Sequence, residues 1–126
     1  MKLLIVDDEE LTRTGVISSL DWSSLGIDEV IQADDGVHGL ETARLYKPEI
    51  ILCDVRMPRM DGDEATREIR ALDRPDAATL PIIAETADAF EEGQRRARDA
   101  GMTALTTKPL NIHELMALLA EHIPEK

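Results

Sequence analysis

Aromatic side chains are nearly missing from this chain of 126 residues: Trp22, Tyr46 and Phe90 are the whole set. Any core must therefore be aliphatic. Cysteine is reduced to Cys53, which excludes an intrachain disulfide and fits a reducing compartment. Basic residues are outnumbered by acidic ones, 14 to 26, leaving a net charge of −12. That balance argues against direct binding of nucleic acid or an anionic membrane, because such affinity rests on Lys and Arg neutralising phosphates. It suits a cation held among carboxylates. Long apolar runs are absent too; none approaches the roughly 20 residues that span a bilayer. The opening Met1-Lys2-Leu3-Leu4-Ile5-Val6 meets acids too soon for a secretion signal. The expectation is a cytoplasmic protein, one domain over residues 1–126, monomeric or weakly dimeric.

What is present is a rhythm. Apolar runs at residues 3–6, 30–33, 50–53, 82–84 and, more weakly, 104–107 suit strands buried on both faces of a parallel sheet. Helical spacings lie between them: Leu11, Val16 and Leu20; Val37, Leu40 and Ala43; Ala65, Ile69 and Leu72. The clearest is the last, where Ile112, Leu115, Met116, Leu119 and Ile123 form one apolar face. Asn111 with Glu114 reads as its N-cap pair and Pro124 as its stop. Residues 90–100 are mostly charged, but Glu91 with Arg95 and Glu92 with Arg96 are i, i+4 pairs of the favourable order. Residues 73–80, polar and carrying Pro75, read as a surface loop. Strand then helix, five times over, predicts an α/β fold with a parallel sheet and helices on both faces.

In such a sheet, ligands gather where strands end at their carboxyl edge. Asp7, Asp8, Glu9 and Glu10 follow the first strand, Asp54 ends the third, Thr86 the fourth, and Lys108-Pro109 follows the fifth. Packed carboxylates either raise a pKa or hold a hard cation. Mg²⁺ takes oxygen ligands and keeps several waters, which matches two or three acids at a strand edge. A lysine opposite offsets phosphate charge, and a hydroxyl can bond a phosphoryl oxygen. Together these groups suit phosphoryl transfer to a carboxylate. Taken singly, each is bland: an acid pair at a helix start is as readily a cap, and a lone lysine is a solvated cation. Their joint placement carries the functional reading.

Other residues carry less. Strand alternation points Cys53 away from the Asp54 side chain, as a small core residue. His38, His113 and His122 are scattered, and none joins the acidic cluster. Trp22 reads as a packing anchor.

On these segments the chain resembles the receiver domain of two-component response regulators. The resemblance runs over roughly residues 2–123. It is carried by Leu3-Leu4-Ile5-Val6-Asp7-Asp8-Glu9, by Asp54-Val55-Arg56-Met57-Pro58 with Met60-Asp61-Gly62, and by Pro81-Ile82-Ile83-Ala84 before Thr86-Ala87. Gly101-Met102 and Thr107-Lys108-Pro109 complete it. It implies a flavodoxin-like, doubly wound (βα)5 three-layer sandwich. It also implies roles: Asp54 as phosphoacceptor, Asp8 as a direct Mg²⁺ ligand, Asp7 holding a metal-bound water, and the Arg56 carbonyl as a further ligand. Thr86 resembles the switch hydroxyl and Lys108 the lysine that pairs with the phosphoryl group. The implied partner is a histidine kinase or phosphotransfer protein. A cis Lys108-Pro109 bond is implied as well, which an X-Pro bond makes accessible.

Two positions depart from the pattern. Leu105 stands where the family often has an aromatic or histidine partner for the switch threonine. Arg56 and Asp88, two residues beyond the acceptor and the threonine, are expected to pair across the pocket mouth. The halves also differ. Residues up to about Gly62, Asp21-Trp22 and Leu25-Gly26 included, resemble receivers of DNA-binding transcription regulators. From Glu64-Ala65-Thr66 onward the chain resembles receivers of hybrid histidine kinases, as in a recombined or engineered chain joined near Asp61-Gly62.

The first reading is a signalling switch rather than a general enzyme, limited to its own phosphorylation and dephosphorylation. The runner-up is a degenerate or engineered receiver-fold scaffold or binding module without physiological phosphorylation. A Mg²⁺-dependent phosphatase would need a second acid two residues after its nucleophile, where Arg56 stands. A nucleotide-binding module would need a Gly-rich loop after the first strand, where acids stand.

Overall fold

A computed structural model describes residues 1–87 and 90–124. Five strands form the centre: β1 (Lys2–Val6), β2 (Glu29–Ala33), β3 (Ile50–Asp54), β4 (Ile82–Thr86) and β5 (Ala104–Thr107). They alternate with α1 (Glu10–Ser19), α2 (Gly36–Tyr46), α3 (Gly62–Arg70), α4 (Glu91–Ala100) and α5 (Ile112–His122). All four strand pairings are parallel, in the order β2-β1-β3-β4-β5. This is the flavodoxin-like doubly wound arrangement, whose chain direction across the sheet reverses between β1 and β3.

Alternation along the strands divides the core in two. Leu4, Val6, Ile51, Cys53, Ile82 and Ala84 pack with Ala43, Ile69 and Ala97 of α2, α3 and α4. Leu3, Ile5, Ile50, Leu52 and Ile83 pack on the other face with Val16 of α1 and Leu115 and Leu119 of α5. Three layers result. Trp22 is half-buried against this second cluster and donates its indole N–H to the Ile17 carbonyl, so it is the packing anchor expected.

The helix ends follow local chemistry. The side chains of Asp35, Asp61 and Asn111 accept hydrogen bonds from the amides of His38, Glu64 and Glu114, which caps α2, α3 and α5. Lys108-Pro109 is cis.

Three expectations need correction. Leu11, placed in the apolar stripe of α1, is 88% exposed, because α1 meets the sheet through Val16 instead. The loop at residues 73–80 is not wholly superficial: Ala77 and Leu80 are buried, and Arg74 reaches inward to the carbonyls of Ala43 and Pro48. Among the described residues Arg96 pairs with Asp63 of α3, not with Glu92. Asp63 is buried and its charge needs a counter-ion, whereas exposed Glu92 is satisfied by water. The expected Arg56–Asp88 pair lies outside the described residues, because Asp88 is not among them.

Candidate acidic phosphoryl site

The ends of β1, β3 and β4 place three acids in one row. Val6 is in register with Cys53, so Asp7 and Asp54 come next in their strands, and Asp54 is in register with Glu85. Alternation turns all three toward the α1/α5 face and turns Cys53 away from it. Burial pushes the Cys53 thiol upward, so it stays protonated and inert.

Asp7, Asp8 and Asp54 each bring a carboxylate oxygen within 4.8 Å of the others. Asp7 and Asp54 are buried and Asp8 is exposed, so the cluster opens to solvent on one side. Asp7 Oδ1 accepts from the Glu9 amide at 2.9 Å, while Oδ2 is buried without a hydrogen-bond partner among the described residues. Such an oxygen-only set, with one orphaned oxygen, fits a hard divalent cation that keeps part of its water shell.

Lys108 enters from the β5–α5 connection. Its Nζ lies 3.1 Å from Asp54 Oδ2, 3.7 Å from Glu9 Oε1 and 4.0 Å from Asp7 Oδ2. Burial works against the ammonium, but the hydrogen bond to Asp54 and the surrounding carboxylates outweigh it and raise its pKa. The Asp54 pKa is raised, mainly by burial and also by Asp7, with Lys108 opposing both. The Arg56 amide is 3.4 Å from Asp54 Oδ1. A cleft of about 270 Å³ opens over this group, lined by Asp8, Glu9, Asp54, Val55, Arg56, Thr86, Ala87 and Lys108. All the residues expected at the site therefore meet in one place: Asp7, Asp8, Asp54, Arg56, Thr86 and Lys108.

The loop from β3 to α3 is shaped by a close approach. The Gly62 amide donates to the Val55 carbonyl at 2.8 Å, and a Cβ at Gly62 would collide with the Asp54 carbonyl oxygen. Only glycine lets α3 begin here.

Sequence reasoning missed Glu85. It is fully buried, and neither carboxylate oxygen has a hydrogen-bond partner among the described residues. Burial first, and then the neighbouring Asp7, raise its pKa to about 9. The signal was available: Glu85 directly follows the apolar run at 82–84, with the parity that faces Asp54. A second grouping was also missed. Asp34, Asp35 and His38 gather their ligand atoms within 4.8 Å at the start of α2, with Arg59 paired to Asp35. His38 thus does join acids, though not those of the cleft.

A family model described as response regulator receiver domain matches residues 3–120. The chain is similar to the transcriptional regulatory protein PdtaR of Mycobacterium tuberculosis, at 36% identity over 115 residues. That match covers 91% of this chain and 53% of the relative. It is also similar to the sensor histidine kinase RcsC of Escherichia coli, at 36% identity over 126 residues, covering 98% of this chain and 12% of the relative. The chain thus spans about half of the first relative and a small part of the second. Both matches run across most of the chain, on either side of Asp61-Gly62. Among solved structures, it resembles the receiver domain of a Pseudomonas aeruginosa sensor histidine kinase with a magnesium ion coordinated in its active-site cleft. The TM-score is 0.82 at 34% identity, over 97% of this chain and 96% of that one. The Vibrio cholerae chemotaxis protein CheY4 gives 0.84 at 29% identity, over 96% and 97%.

Proposed function

The chain belongs to the response regulator receiver domain family, and from that premise we propose that Asp54 is the residue that takes up the phosphoryl group. Receiver domains are signalling switches that work with histidine kinases or phosphotransfer proteins. The observation that carries the assignment is the 3.1 Å contact between Lys108 Nζ and Asp54 Oδ2 at the floor of a cleft flanked by Asp7 and Asp8. In the proposed reaction an Asp54 oxygen bonds to phosphorus as the bond from phosphorus to the donor histidine nitrogen breaks. Lys108 then faces the added negative charge, and the Thr86 hydroxyl donates to a phosphoryl oxygen.

Asp7, Asp8, Asp54 and the backbone carbonyl of Arg56 would hold Mg²⁺, the cation named for the Pseudomonas relative. When bound, the ion supplies neutralisation of charge on the phosphoryl oxygens. We take residues 1–126 as one receiver domain whose chemistry is confined to its own phosphorylation and dephosphorylation. The net charge of −12 supports a protein that does not contact nucleic acid or anionic membrane directly. No helix among the described residues is long and apolar enough to cross a membrane. A cytoplasmic monomer or weak dimer fits these properties.

The test is incubation with acetyl phosphate and Mg²⁺, followed by intact-mass measurement, beside an Asp54→Asn variant. A phosphoryl adduct that requires both Mg²⁺ and Asp54 is expected. An adduct that persists in the variant, or none in either protein, would overturn the assignment and favour the scaffold reading. Steady turnover of unrelated phosphate esters would indicate a phosphatase.

A further inference from the structure

The loop between β3 and α3 is closed at its base, where the Gly62 amide donates to the Val55 carbonyl. Arg56, next to that base, lines the acidic cleft. Half-buried Met57 packs on the aliphatic core and anchors the middle of the loop. Beyond it, Pro58 and Arg59 are exposed, and the Met60 amide donates to the Pro58 carbonyl at 2.9 Å.

The tip of this loop rests on the start of α2 at two points. A Cβ on Gly36 would collide with the Met60 carbonyl oxygen, so the missing side chain lets the loop backbone settle against the helix. Beside that contact, Arg59 Nη2 pairs with Asp35 Oδ2. Asp35 is buried, and its Oδ1 caps α2 by accepting from the His38 amide at 2.8 Å. A buried carboxylate depends on its counter-charge, because losing it leaves the charge uncompensated.

Arg59 has φ +68, a left-handed backbone that suits glycine and penalises a Cβ. Turn shape alone would be better served by glycine. What arginine adds is the ion pair. The grouping of Asp34, Asp35 and His38 is explained in the same way. His38 Nδ1 is 2.6 Å from Asp34 Oδ1 and both Asp35 oxygens are engaged, so these acids are satisfied without an ion.

We propose that Arg59 and Asp35 form a clamp that fixes the β3–α3 loop on α2 and thereby positions the Arg56 carbonyl as a ligand for Mg²⁺. This deepens the reading of the cleft given above and rests on it. A backbone carbonyl has no side-chain torsion to adjust, so its direction is set by the path of the loop. Met57 holds the middle of that path and the clamp holds its far end. The loop is then ordered before the cation arrives, and binding does not have to order it. Neither Arg59 nor Asp35 is among the residues that line the cleft, so both are positioning residues.

The test uses the full chain and three variants. Arg59→Gly removes the ion pair while suiting the backbone, Asp35→Asn removes the charge while keeping an acceptor for the cap, and Arg59→Lys keeps the charge. Mg²⁺ alone is titrated and followed by amide resonances around the cleft. Arg59→Gly and Asp35→Asn should each weaken binding roughly three- to tenfold, less than the loss of a group bonded directly to a ligand. Arg59→Lys should recover part of the affinity. Without Mg²⁺, the Met60 amide should exchange faster in the first two variants, with β1 and α5 unaltered. At saturating Mg²⁺, phosphoryl capture from acetyl phosphate should stay within about twofold of wild type, because only binding has been weakened.

Wild-type Mg²⁺ affinity in both Arg59→Gly and Asp35→Asn would overturn the clamp, as would a rate loss that saturating Mg²⁺ does not repair. A wild type that ignores Mg²⁺ overturns it together with the metal site. If the wild type binds Mg²⁺ but forms no phosphoryl adduct, the reading of Asp54 falls, and the Mg²⁺ affinities still decide the clamp.

Discussion

Lys108 Nζ lies 3.1 Å from Asp54 Oδ2, and this ammonium is the positive group that the acidic row shares. Glu85, Asp7 and Asp54 all contribute to its raised pKa, so the lysine is held in place before any phosphoryl group arrives.

Replacing Lys108 with Ala removes both the counter-charge and the donor aimed at the incoming phosphoryl oxygens. The initial rate of Mg²⁺-dependent phosphoryl capture from acetyl phosphate should fall roughly 10²-fold, the usual loss for one such donor. Timed intact-mass measurement reads this directly. A rate within a factor of about two of wild type would remove Lys108 from the reaction.

Glu85 makes stability depend on pH. Its pKa is 4.5 when unfolded and about 9 in the folded protein. Between those values the unfolded chain has released the proton and the folded chain keeps it, so the folded state binds more protons and stability falls as pH rises. The raised pKa of Asp54 acts in the same direction. Urea midpoints should therefore drop steadily from pH 5 to pH 9. Glu85→Leu should flatten the slope and raise stability at pH 8 by about 1–4 kcal/mol, as when a buried charge is replaced by an apolar side chain. An unchanged slope would show that Glu85 titrates normally.

The fold was legible because each strand is a short apolar run and four of the helices repeat apolar residues at helical spacing, while the mostly charged α4 showed only its i, i+4 charge pairs. The site was legible for a related reason: Asp7, Asp54, Thr86 and Lys108 each stand where a run stops. Glu85 was not read although it too stands directly after a run, at residues 82–84, where its register and parity with Asp54 give it away. The Asp63–Arg96 pair was not legible at all. Sequence spacing offered Glu92 as the partner of Arg96, and only the packing of α4 on α3 brings a buried acid within reach. Leu11 shows the same limit, since helical spacing sets a face but not which residues of that face meet the sheet.

Gly62→Ala tests the loop beneath the cleft. The added Cβ would collide with the Asp54 carbonyl oxygen and lie 3.0 Å from Val55 Cα and 3.1 Å from the Asp54 carbonyl carbon. These are backbone atoms and cannot rotate aside. A loss of about 1–3 kcal/mol in urea denaturation is expected, with weaker Mg²⁺ binding because Asp54 and Arg56 must shift. Wild-type values in both measurements would mean the loop relaxes without cost.

Arg70 ties three parts of the chain together through their carbonyl groups. Its Nε and Nη2 donate to the Gly101 carbonyl, and its Nη1 donates to Ala77 and Leu80 at 3.0 and 2.6 Å. α3, the loop before β4 and the end of α4 thus meet on one guanidinium. Burial lowers its pKa, with the charge of Asp76 opposing. Arg70→Ala leaves three carbonyl groups without their donor, and water can reach only some of them. The expected loss is about 2–4 kcal/mol. Arg70→Lys should recover less than half of it, because one ammonium cannot span carbonyls that a planar fork reaches together. Full recovery by lysine would show that charge, rather than the fork, is what this junction needs.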